Sequence, residues 1–104
     1  MTDIFTIDKL LENSSKITSK YAELTGPWSV AAQIAHIHSE VSEVYQAVRH
    51  GESRERVLEE IVDVFLTTFT LCNIMNVQST ELNDAFTNKL ATISKRIDVL
   101  SKNK

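Results

Sequence analysis

Four carboxylates in this chain have types and spacing suited to chemistry. They are Glu40 and Glu43, then, after sixteen intervening residues, Glu60 and Asp63. Each pair is spaced i,i+3, which puts both acids on one face of a helix. Two further pairs share that spacing, Glu52/Glu55 and Glu81/Asp84. These lie at expected helix starts, where the dipole favours negative charge, so they need no chemical role. With 14 acids in 104 residues, spacing alone also arises by chance. Position within the helices is what separates Glu40/Glu43 and Glu60/Asp63 from the rest.

At about 100° per residue, an apolar stripe of Val30, Ile34, Ile37, Val41, Val44, Tyr45 and Val48 marks one face of a helix. Gln33, His36, Glu40, Glu43 and Ala47 border it. The next helix has a stripe of Val57, Ile61, Val64, Phe65, Thr68, Cys72 and Met75, bordered by Arg56, Glu60, Asp63 and Thr67. If the two helices pair antiparallel, the four acids converge at the core's edge. Converging carboxylates repel and are costly to desolvate. A hard divalent cation such as Mg²⁺ or Mn²⁺ resolves both costs. Mg²⁺ typically bridges to substrate phosphates, so such a site points to phosphoryl or nucleotidyl chemistry. The competing reading is a solvated acidic face paired with Lys or Arg.

The elements that position these residues follow from composition. Glycine and proline number only three, against a usual share of about 12%. An all-β fold needs far more turn residues, so an all-α chain is expected. Helices are expected over about 6–24, 28–50, 53–76 and 79–101. Gly26-Pro27 and Gly51 end the first two, Ser53 caps the third, and Asn76 tolerates a left-handed terminus. Short connections predict an up-down four-helix bundle protomer as a single domain over 1–104. So short a chain gains burial by self-association.

Net charge is −3, which argues against nucleic-acid or membrane-surface binding. The single cysteine, Cys72, fits a reducing, cytoplasmic setting and reads as a buried thiol. The longest uncharged run, 64–80, is broken by polar residues and reads as core, and 1–11 does not read as a signal peptide. A di-iron carboxylate bundle is excluded, because it needs Glu-x-x-His twice and none of the three histidines follows a glutamate by three.

Glu40-Val-Ser-Glu43, the spacer and Glu60-Ile-Val-Asp63 resemble the MazG-like, all-α nucleoside triphosphate pyrophosphatases. The flanking segments 37–44 and 59–66 resemble that family too, as does the later run through Asn76, Leu82, Ala85 and Lys89. The resemblance covers about two thirds of the chain, 28–96. It departs at Ile93, where Asn is frequent, and at Ser42, where Gly is frequent. The resemblance implies Mg²⁺-dependent hydrolysis of nucleoside triphosphates to the monophosphate and pyrophosphate, in the service of nucleotide-pool cleaning. It implies Glu40, Glu43, Glu60 and Asp63 as metal ligands, with Glu40 or Glu43 orienting or deprotonating the water. Lys89 and Arg96 would contact phosphates. It also implies a homodimer or homotetramer with sites assembled between subunits. Trp28, His36 and Gln33 are candidate base or sugar contacts, two of them with a structural alternative: a helix-corner anchor for Trp28, and a satisfied, partly buried side chain for His36. The alternative to an enzyme is a helical interaction module that kept the fold and lost the activity.

Overall fold

Capping residues set the limits of four helices. The computed structural model describes residues 6–26 and 29–103. Helix α1 spans Ile7–Thr25, α2 Val30–Arg49, α3 Arg54–Ile74 and α4 Ser79–Lys102. Thr6, Ser29 and Ser53 cap the first three, each side chain accepting from a backbone N–H three residues on. The connections turn where left-handed backbone is tolerated: Gly26 at φ 88°, Gly51 at φ 65° and Asn76 at φ 56°. The expected ends hold to within two residues. At α4 the cap is Gln78, in a reciprocal capping box with Glu81. Among the described residues no helix is long and apolar enough to cross a membrane.

Contacts run α2 to α3 and α1 to α3, so α3 is the central helix. The register is antiparallel in both pairs. Gln33 reaches Thr67 and Glu40 lies beside Asp63, while Leu11 meets Asn73 and Ser14 meets Thr70. Helix α4 packs against α1 alone. Of its residues only Ser79 and Leu82 are part-buried. The four-helix, all-α architecture is as expected, but α4 projects from the other three. The radius of gyration is accordingly 16.8 Å, against about 13 Å for a closed domain of this length.

The faces differ from the sequence expectation. On α2 most of the apolar stripe is exposed: Val30, Ile34, Val41, Tyr45 and Val48 are all 40% or more accessible, while Ile37 and Val44 are part-buried. The bordering row turns inward instead, with Gln33 and Ala47 each 1% exposed. Phe65 and Met75 on α3, expected in the core, are also exposed, whereas Phe69 is buried. On α4 the apolar residues Phe86, Ile93, Ile97 and Leu100, which recur at helical spacing, are open. The physical reason is register. Small Ala47 and the hydrogen-bonded Gln33 let α2 approach α3 closely along the polar row, which leaves the wider apolar stripe unpartnered within one protomer.

Candidate metal centre and adjoining cleft

The inward rotation of α2 brings carboxylates together. Glu40 from α2 and Glu60 and Asp63 from α3 each place an oxygen within 4.8 Å of the others. Glu60 is 9% exposed, Glu40 is part-buried, and Asp63 is exposed. Glu43, one turn beyond Glu40, is exposed and stands outside this trio.

An arginine and a histidine sit beside the acids. Arg56 Nη2 donates to Glu60 Oε1 at 2.8 Å, and Arg56 also pairs with Glu59 and Glu52. Its guanidinium is held charged above its ordinary value, first by the hydrogen bond to Glu59 and then by the charges of Glu59 and Glu60. His36 Nε2 lies 2.9 Å from Glu40 Oε1. The ion-paired reading of the acids is therefore realised in part. It accounts for one oxygen of each glutamate. Glu40 Oε2 and Glu60 Oε2 are buried and accept no hydrogen bond. Buried, unpaired carboxylate oxygens are costly. Two such oxygens beside the accessible Asp63 carboxylate suit a hard cation in oxygen coordination. Glu40, Glu60 and Asp63 can hold one.

Two of the trio, Glu40 and Asp63, open onto a cleft of about 380 Å³ between α1, α2 and α3, a size within the range of small-molecule sites. Glu40, Asp63, His36 and Gln33 line it, with Ile17, Tyr21 and Leu66 as its larger apolar and aromatic walls. Gln33 donates through Nε2 to the Thr67 carbonyl at 2.9 Å. Ser14, Thr18 and Thr70 complete the polar wall. The sequence reading singled out none of these three as site residues. The available signal was a serine and a threonine one helical turn apart, next to the apolar positions of the first helix.

Of the other expected site residues, Lys89 and Arg96 are exposed on α4, which contacts neither α2 nor α3. Trp28 lies outside the described residues. Cys72 is part-buried, and burial pushes its thiol above the ordinary value, in keeping with an inert thiol.

Residues 29–98 match the MazG nucleotide pyrophosphohydrolase domain. No curated protein and no solved structure matches the chain. The matched region contains α2, α3 and most of α4, including all three converging carboxylates. By that match over two thirds of its length, the chain belongs to the MazG nucleotide pyrophosphohydrolase family.

Proposed function

We propose that this protein hydrolyses nucleoside triphosphates to the monophosphate and pyrophosphate, with Mg²⁺ held by Glu40, Glu60 and Asp63. The observation that carries this reading is the pair of buried, unpartnered oxygens on Glu40 and Glu60, two residues that converge with Asp63 beside a ligand-sized cleft lined by Glu40 and Asp63. Mg²⁺ bound there, or Mn²⁺ in its place, supplies positive charge against the phosphate oxygens as negative charge develops.

The chain's own groups do the rest. Glu43, solvent-facing and one turn from Glu40, joins the ligand set or, like Glu40, orients and deprotonates the attacking water. The water oxygen bonds to the α-phosphorus, the bond to the α,β-bridging oxygen breaks, and pyrophosphate leaves. His36 holds the Glu40 carboxylate through its 2.9 Å contact. Arg56 holds Glu60. The cleft takes the nucleoside, with Gln33 and His36 at its wall.

Lys89 and Arg96 contact phosphates once subunits assemble, because α4 leaves its own carboxylate-bearing helices. Assembly as a homodimer or homotetramer is supported by the open apolar faces. Val41, Tyr45 and Val48 on α2 and Phe86, Leu90 and Ile97 on α4 are between 49% and 61% exposed. The accessible surface of one chain is 8228 Å², against about 5,900 Å² for a closed monomer of this mass. The biological role that follows is removal of surplus or modified nucleotides in the cytoplasm.

The test is pyrophosphate release from a panel of ordinary and modified nucleoside triphosphates with Mg²⁺. Release that stops in chelator supports the reading. No release from any nucleotide overturns it.

A further inference from the structure

Four hydroxyls on the cleft wall, those of Ser14, Thr18, Thr67 and Thr70, share one hydrogen-bonding character. Thr18 donates its hydroxyl proton to the Ser14 carbonyl at 2.8 Å, and Thr67 donates to the Asp63 carbonyl at 2.9 Å. Thr70 donates to the Leu66 carbonyl at 3.0 Å. With the Thr70 proton on the Leu66 carbonyl, Ser14 is the donor in the 3.1 Å contact between the Ser14 and Thr70 hydroxyls. All four hydroxyl protons point into the protein's own backbone or into each other. Their oxygens retain lone pairs.

Gln33 adds the decisive feature. Its side chain is 1% exposed. The Nε2 bond to the Thr67 carbonyl fixes which end of the amide is which. Its Oε1 is buried and has no partner. A buried acceptor without a donor is unfavourable unless a ligand supplies one. The wall therefore presents acceptors, and it favours a ligand edge that brings N–H groups.

We infer that, within the nucleotide-binding role proposed above, this wall selects an amino group over a carbonyl at pyrimidine C4 or purine C6, favouring cytosine over uracil and adenine over hypoxanthine. An amino group offers two hydrogens, one for Gln33 Oε1 and one for a neighbouring hydroxyl oxygen. Uracil and thymine offer a single N–H flanked by two carbonyls, which would face oxygens that have no proton to give. Hypoxanthine puts a carbonyl where adenine has its amino group. Gln33 is thus a specificity-determining residue, and the phosphate chemistry does not depend on it.

The test is calorimetric titration of the intact chain with two matched pairs, CMP against UMP and AMP against IMP. Each pair differs by amino against keto at one carbon. Pyrophosphate release from the corresponding triphosphates is measured in parallel. The expected result is an amino member that binds and turns over at least about tenfold better than its keto partner. Gln33→Leu brings the ratio close to one by weakening the amino member, and Thr18→Val, at a half-buried position, lowers the ratio if the Gln33 variant does not fold. A wild-type ratio near one, a keto preference, or no binding of any monophosphate overturns the assignment. Brisk turnover without discrimination overturns the base assignment and leaves the hydrolase reading standing. Discrimination in binding without any turnover does the reverse.

Discussion

His36 Nε2 lies 2.9 Å from Glu40 Oε1, while Glu40 Oε2 is buried with no hydrogen-bond partner. One oxygen is oriented by the imidazole and the other is left for a cation. A group that holds a ligating side chain in place typically contributes a factor of about ten or more to metal affinity. His36→Ala is therefore expected to raise the Mg²⁺ concentration needed for half-maximal activity about tenfold. Unchanged Mg²⁺ dependence would remove the positioning role.

Glu40 and Glu43 should separate experimentally. Glu40 belongs to the converging trio and Glu43 does not. Mg²⁺ is expected to raise the melting temperature of the wild type and of Glu43→Gln, and to have no effect on Glu40→Gln or Asp63→Asn. Pyrophosphate release falls in all three variants. Equal loss of the metal-induced shift in Glu43→Gln would put Glu43 among the ligands in the assembled protein.

Arg56 offsets repulsion among Glu52, Glu59 and Glu60. Its removal leaves the buried Glu60 carboxylate without its cationic partner. Arg56→Met is expected to melt at a lower temperature than the wild type in chelator, and Mg²⁺ should narrow that gap. A gap that widens on adding Mg²⁺ would contradict the shared electrostatic site.

The α1–α3 seam provides a fold test independent of activity. Ser14, 1% exposed, meets Thr70, and Phe69 is buried nearby in sequence. Ser14→Ala should cost about 1 kcal/mol, the loss of one buried hydrogen bond. Phe69→Ala should cost about 3 kcal/mol through the cavity it leaves. Urea denaturation measures both.

The apolar face of α4 predicts an assembly effect. Ile97→Asp places a charge where Phe86, Leu90 and Ile93 also lie open. It is expected to reduce the mass found by sedimentation relative to the wild type, and to reduce turnover if Lys89 and Arg96 act across subunits. An unchanged mass would release α4 from the interface.

Helix number and helix ends were legible in the chain alone, because capping is local. Ser53 and Gly51 needed only their neighbours to act, and so did Asn76. The acids' pairing on helical faces was legible for the same reason, since a 3.6-residue period puts i and i+3 together. Which faces meet was not, because that depends on the rotation of one helix against another. The close approach at Gln33 and Ala47 turned the polar row of α2 inward and its apolar stripe out. That rotation gathers Glu40, Glu60 and Asp63, leaves Glu43 in solvent, and buries one Gln33 oxygen without a donor. Composition registered few turns and therefore helices. Only packing between helices decided that the carboxylates share a site, because interhelical register is a property of contacts that no single helix contains.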